Sequence, residues 1–320
     1  MEAPAAAELV RQFKLDRLLK QDQNGRRIDL LGTINYIPAL LTAERAAFPS
    51  DLPTLHAFHS TLAQINNIGD NDIYHWYLAS SGITDTAPPD LKLNLIYPCT
   101  DKHIKKYSPQ TVRMVTETPE IYKNYVRPYM QRMRDEGRLN WVFNIIEGRA
   151  EQEDVLLRDP GKGSQDGEDE RFLLTPDLNW DKKTLTSFHL LALVERRDIW
   201  SIRDLKKRHV EWLKHMREKV LGAVVRLYGE LERDMLKLYV HYQPTYYHFH
   251  IHVVHVMTEA TSTQATGKAF GLENLISQLE TMAGGPEASM ADVSLTHFLG
   301  TASDLWNEVY LPLKEGKKKT

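Results

Sequence analysis

Read along its apolar and polar positions, the chain changes character near its middle. Residues 8 to 20 carry apolar side chains at Leu9, Phe13, Leu15, Leu18 and Leu19, and the adjoining segment RRIDLLGTINYIP reads as a short strand pair. The stretches NDIYHWYL (71–78) and LKLNLIYP (91–98) alternate with aromatic and β-branched residues, and Pro98 closes the second, as strands often are closed. These elements predict an α+β N-terminal domain. Residues 108 to 137 are rich in helix formers, while Pro119 and Pro128 restrict where a helix runs unbroken, which predicts a hinge plus a connecting helix.

Beyond residue 138 the pattern is mostly that of strands. LNWVFNIIEG, EDVLLRD and RFLLTPDLNW read as successive strands, with a polar, glycine-rich hairpin loop from Asp159 to Glu170. After FHLLALVER, the sequence SIRDL offers Ser201 as N-cap with Asp204 three residues on, so a helix is expected from there. Ile202, Leu205, Val210, Leu213, Met216, Val220, Val224 and Leu227 would form its apolar stripe. Two strands, DMLKLYVHY and YYHFHIHVV, flank a turn at Pro244, and a last helix carries Leu272, Leu275, Ile276 and Leu279. The expected division is therefore 1–107, 108–137 and 138–320.

Composition narrows the classes. With 320 residues, two domains are the natural count. Apolar residues make up 42% and charged residues 26%, the balance of a soluble globular protein. No run reaches the roughly 18 apolar residues of a membrane span, and MEAPAAAELVRQFKL lacks the features of a signal peptide. An intracellular protein with no membrane partner is expected, cytoplasmic first and nuclear second, the basic KEGKKKT reading mainly as a solvated end. The single cysteine, Cys99, rules out an intrachain disulfide and cysteine-rich zinc ligation. A net charge of −3 supplies no excess to track a long phosphate backbone, so long nucleic acid is not an expected partner. A small anion needs only a local cluster of donors.

The histidines carry the candidate chemistry. His248, His250 and His252 alternate with Phe249, Ile251 and Val253, so a β-strand would present three imidazoles on one face. A solvent face is one alternative, although such faces usually carry Thr, Lys, Glu or Ser. A metal site is another, but His248 and His252 would stand roughly 13 Å apart at their backbones, too far to share an ion at about 2.1 Å. At most two could ligate. A row of imidazoles suits phosphate chemistry better, because one neutral nitrogen can attack phosphorus while protonated neighbours bind oxygens and protonate the leaving group. With an ordinary pKa near 6.5 both forms would coexist.

The run from His248 to Val254 resembles the motif of the histidine-triad superfamily. The surrounding sequence narrows the likeness to its scavenger mRNA decapping enzymes: NDIY at 71, YPCTDKHIKKY at 97, WVFNII at 141, TPDLNWD at 175, RRDIWSIRDL at 196 and HYQPTYYHFHIH at 241 occur in that family's order. The resemblance covers residues 70 to 280. It implies an N-terminal domain that dimerises by segment exchange, a histidine-triad catalytic domain after the hinge, and a substrate site between them.

By that resemblance His250 is the nucleophile that forms a nucleotidyl-histidine intermediate, and His248, His252 and His241 assist it. Trp141 would stack on the methylated, positively charged guanine, with Leu178 on its other side and Glu151 and Asp177 as pocket carboxylates. Tyr74, Lys106, Thr245, Tyr246 and Lys268 would reach the phosphates. Asn179 stands where the family usually has lysine, which leaves one phosphate contact in question. The implied substrate is a capped dinucleotide or short capped RNA, in a homodimer, with no cofactor and no metal. A dinucleoside polyphosphate hydrolase and a non-catalytic cap-binding protein are the rival functions.

Overall fold

The computed structural model describes residues 8–22, 25–46, 48, 51–81, 90–109, 111–161, 170–177 and 180–317. It divides into two compact units, Met1–Pro109 and Gln110–Thr320. No helix among the described residues is long and apolar enough to cross a membrane.

In the first unit, β1 (Lys14–Gln21), β2 (Arg27–Ile34), β3 (Ile37–Arg45) and β6 (Leu91–Ile96) form an antiparallel sheet in the order β1-β2-β3-β6. Asn35 and Tyr36 join β2 to β3 with φ of 50° and 64°, the two left-handed residues that a tight hairpin turn requires. Leu19, Leu31, Leu40 and Cys99 make a small core, with Ile104 and Tyr107 of helix Asp101–Tyr107 packed against it. A second hairpin, β4 (Leu62–Asn71) and β5 (Tyr74–Ser81), forms a two-stranded sheet of its own among the described residues, and every residue of β5 is exposed.

The second unit is built on a six-stranded antiparallel sheet in the order β13-β11-β12-β10-β9-β8: Ala269–Gly271, Leu236–His241, His250–His255, His189–Val194, Phe172–Pro176 and Leu157–Asp159. Strand alternation gives it two different faces. Phe172, Leu174, Leu190, Ala192, Ile251 and Val253 point to the main core, which the helices Val210–Leu227 and Leu272–Thr281 complete. Leu173 and Leu193 point to the other side and meet Val142, Ile145 and Ile146.

Those last three residues lie in a helix, Asn140–Ile146, where a strand was expected. Its buried residues fall at i, i+3 and i+4, the spacing of one helical face, and so short a run does not declare its period. The loop expected between β8 and β9 lies mostly outside the described residues.

The SIRDL box is present, with Ser201 and Asp204 capping each other's backbone, but it caps a single 3-10 turn, Ile202–Asp204. Leu205 and Lys206 are extended, Lys206 bridges to Ser289, and the long helix begins only at Val210. Tertiary pull explains the break: Arg203 is drawn from this turn into the core by Glu117.

Glu117 ends β7 (Val112–Glu117), a strand inside the segment expected to be hinge and helix. β7 pairs with β14 (Leu295–Gly300), and the helical residues after it, Tyr122, Val126, Tyr129, Met130 and Met133, pack with Tyr247, Trp306 and Tyr310. The Glu117 carboxylate, fully buried, accepts from Arg203 Nε (2.9 Å), Gln243 Nε2 (2.9 Å), Tyr310 Oη (2.6 Å) and the Tyr242 hydroxyl. Burial opposes its ionisation, yet His297, Arg203 and the two tyrosines hold its pKa below the ordinary value. Arg203 spends its other donors on the carbonyls of Met290, Val293 and Glu117. Glu117→Ala, which strands a buried guanidinium, is expected to lower stability by about 3–5 kcal/mol, read as a shift of the urea midpoint.

Candidate active site

The histidine segment enters the sheet through a tethered lead-in. The Tyr247 hydroxyl donates to Gln243 Oε1 (3.1 Å), the Gln243 amide is fixed by Glu117, and Arg134 donates to the Tyr247 carbonyl (2.8 Å). The strand itself starts at His250, not at His248. The N–H of His248 bonds the Tyr246 carbonyl, and that of Phe249 the Ile199 carbonyl, so neither belongs to the ladder with β10. The His248 ring lies edge-on to Phe143, and its Nε2 donates to the Val194 carbonyl at 2.6 Å. The single row of three imidazoles is thus two on the strand, with His248 turned aside.

His248 contributes through its backbone. Its carbonyl oxygen accepts from His250 Nδ1 at 2.7 Å. A carbonyl cannot donate, so Nδ1 bears the hydrogen, and in a neutral ring Nε2 keeps its lone pair. Burial pushes the pKa of His250 down to about 4, only partly opposed by the His248 carbonyl and the Asp177 carboxylate, while Lys268 adds to the fall. His241 and His248 are likewise pushed to about 4 by burial, and His252 goes well below its ordinary value for the same reason. At neutral pH these rings are uncharged, which corrects the expected mixture of protonated and neutral forms.

Around His250 the rings are layered. Tyr246 stacks on it at 4.4 Å between centroids with 17° between planes, and Trp141 meets Tyr246 edge-on at 4.9 Å. Trp141, beside the buried face that Val142, Ile145 and Ile146 form on its helix, is 47% exposed. On the other side His252 lies 5.2 Å from His250 and 4.0 Å from His241, whose Nε2 donates to the Thr263 carbonyl. Lys268, the nearby cation, donates to the Gln243 carbonyl, and burial lowers its pKa. The Asp177 carboxylate acts on His250, Tyr246 and His189, closer to the imidazoles than a purely base-binding role implies.

Thr245 is exposed on the lead-in, and Glu151 is exposed with φ of 51° before a 3-10 turn. Leu178 and Asn179 lie outside the described residues. Tyr74, stacked on Trp76, and Lys106, whose side chain is not among those described, belong to the first unit.

Sequence reasoning missed His189 and Tyr239. Tyr239 stacks on His252 at 4.8 Å with 6° between planes, and His189 Nε2 lies 2.9 Å from His252 Nδ1. Alternation could have found Tyr239, which shares its sheet face with His241, whereas His189 opens the strand of FHLLALVER and meets His252 only through strand register. Asp177, His189 and His252 also bring three donor atoms within 4.8 Å of one another, the described group most able to hold a metal. Two nitrogens on one tetrahedral ion stay about 3.3 Å apart, so the 2.9 Å contact is a hydrogen bond between rings.

Comparison with known proteins gives the family. The family model for the scavenger mRNA decapping enzyme (DcpS) N-terminal region matches residues 8–110, and that for the scavenger mRNA decapping enzyme C-terminal binding region matches 140–267. A protein of Schizosaccharomyces pombe named m7GpppX diphosphatase is 35% identical over 94% of this chain and 95% of its own length. The chain belongs to the scavenger mRNA decapping family. Proteins of the same name from Ascaris suum (37% identical, 78% of this chain and 79% of theirs) and Homo sapiens (29%, 84% and 77%) are also similar to it.

The buried rings predict how stability depends on pH. His241, His248 and His250 bind protons less readily folded than unfolded, so the stability they allow is complete above about pH 6.5 and is lost as pH falls toward 4. Urea midpoints measured across that window are expected to fall more steeply for the wild type than for His248→Gln.

Proposed function

We propose that this member of the family hydrolyses the triphosphate bridge of 7-methylguanosine cap remnants, the m7GpppX compounds after which its relatives are named, with His250 as nucleophile. The observation that carries the mechanism is the 2.7 Å bond from His250 Nδ1 to the His248 carbonyl, which leaves Nε2 unprotonated. His250 Nε2 attacks the phosphorus that bears the methylated nucleoside, a P–N bond forms and the bridging P–O bond breaks. The departing nucleoside diphosphate takes a proton from Lys268, which recovers it from the attacking water in the second step, while the neutral imidazole N–H groups donate hydrogen bonds to the phosphate oxygens. Water then cleaves the P–N bond, releasing 7-methyl-GMP and restoring the ring. No metal is assigned to any step.

Trp141 is the proposed base platform. Methylation at N7 leaves the guanine positively charged, and the exposed indole face attracts it. Glu151 and Asp177 are assigned to the cap pocket, and Thr245, Tyr246 and Lys268, with Tyr74 and Lys106 of the first unit, to the phosphates; Leu178 and Asn179 stay with the same assignment by resemblance. We also infer a homodimer formed by segment exchange through the first unit. The support is β5, which exposes Tyr74, Trp76 and Leu78 together on a hairpin that forms its own two-stranded sheet among the described residues.

His250→Asn is expected to lower kcat on m7GpppG by about 10⁴-fold or more, with wild-type product identified by mass as 7-methyl-GMP. Equal kcat/KM for m7GpppG and GpppG would instead support a general dinucleoside polyphosphate hydrolase. Trp141→Ala is expected to raise KM by about tenfold, near the 1.4 kcal/mol of a desolvated cation–π contact, while leaving unmethylated substrate little changed. Because His250 is neutral down to about pH 4, the acid limb of kcat/KM should fall well below 6.5. Sedimentation equilibrium should give twice the 36.9 kDa chain mass, and Trp76→Glu with Leu78→Glu should return it toward a monomer.

A further inference from the structure

His189 has no role in the proposed reaction, yet it is buried and in contact with a catalytic imidazole. It opens β10 opposite Val254, while Leu191 stands opposite His252, so His189 is the diagonal neighbour of His252 on the same sheet face. The two rings meet at 2.9 Å between His189 Nε2 and His252 Nδ1. One of these nitrogens must carry the hydrogen. Asp177 decides which, because its Oδ2 lies 3.7 Å from His189 Nε2, too long for a hydrogen bond but close enough to favour an N–H there over a lone pair.

If His189 donates, His252 Nδ1 accepts, and the hydrogen of a neutral His252 sits on Nε2. That nitrogen is buried and has no hydrogen-bond partner among the described residues. Tyr239, stacked on the His252 ring, fixes the plane in which the Nε2–H points, and His250 is 5.2 Å away between centroids. Burial and the neighbouring imidazoles and Lys268 keep His252 from charging, so its usefulness depends on which tautomer it holds.

We propose that His189 is a positioning residue that locks His252 as the Nε2–H tautomer, making it a neutral hydrogen-bond donor to an oxygen of the phosphate chain. Asp177 biases the relay from behind. The assignment rests on the hydrolase reading for its purpose, though not for its geometry. Without His189, His252 could place its hydrogen on either nitrogen, and the form bare at Nε2 would repel the phosphate oxygens it should bind.

The experiment is a ¹⁵N spectrum of the free protein labelled at histidine, with the His252 signals assigned by their loss in His252→Asn. A bare Nδ1 and a protonated Nε2 on His252 are expected in the wild type, and a mixture of tautomers in His189→Phe. Steady-state kinetics on m7GpppG should show kcat reduced about 10- to 100-fold in His189→Phe, with KM within about threefold of wild type. His189→Gln, whose amide N–H can reach Nδ1, should recover most of the loss. A wild-type His252 protonated at Nδ1, a wild-type kcat in His189→Phe, or a Gln variant no better than Phe would each overturn the proposal. The spectrum needs no substrate and no variant of His189, so it decides the tautomer even if His189→Phe does not fold. A wild-type protein that fails to cleave m7GpppG would defeat the hydrolase reading alone.

Discussion

The second unit is organised around one buried ion pair. Glu117 and Arg203 are both fully enclosed, and between them they bind β7, the turn before the long helix, the lead-in to the histidines and the C-terminal segment. Two charges taken out of water are tolerated only when nearly every lone pair and proton is met, and here the partners include two tyrosines, a glutamine and three backbone carbonyls. The geometry of the active site is inherited from that requirement. Gln243 is held by the carboxylate at one end and receives the Tyr247 hydroxyl at the other, so the backbone that delivers His248 and His250 cannot drift without exposing the pair.

That tether explains why the first histidine of the motif behaves unlike the other two. The lead-in arrives at an angle set by its own bonds, and His248 reaches the sheet before regular pairing begins. Its ring is used to close the end of β10 at Val194, and its carbonyl is left to hold Nδ1 of His250. Side chain and backbone of one residue thus do separate jobs. The contact that reaches His250 comes from a peptide group and not from the His248 ring.

Much of this was legible in the residues. The strands around LNLIYP, RFLLTP and HIHVVH and the last helix follow from alternation or from i, i+3, i+4 spacing, because packing on one face leaves a period that can be read. What escaped were places where distant residues overrule the local pattern. WVFNII is rich in strand formers and is helical because Val142, Ile145 and Ile146 have a sheet to cover. SIRDL has a sound capping box, and the helix stops after one turn because Glu117, 86 residues earlier, claims Arg203. The site divides the same way: the motif and its context single out His250, Trp141 and Tyr246, whose rings the fold brings together, whereas His189 is tied to His252 only by strand register, which no local pattern announces.

Tyr246 couples two rings: it meets Trp141 edge-on and covers His250 with its face, so one side chain is shared between them. A small molecule that wedged between Trp141 and Tyr246 would therefore disturb the imidazole beneath as well as occlude the platform. Through Tyr246, a change at Trp141 or at His250 is carried to the other ring.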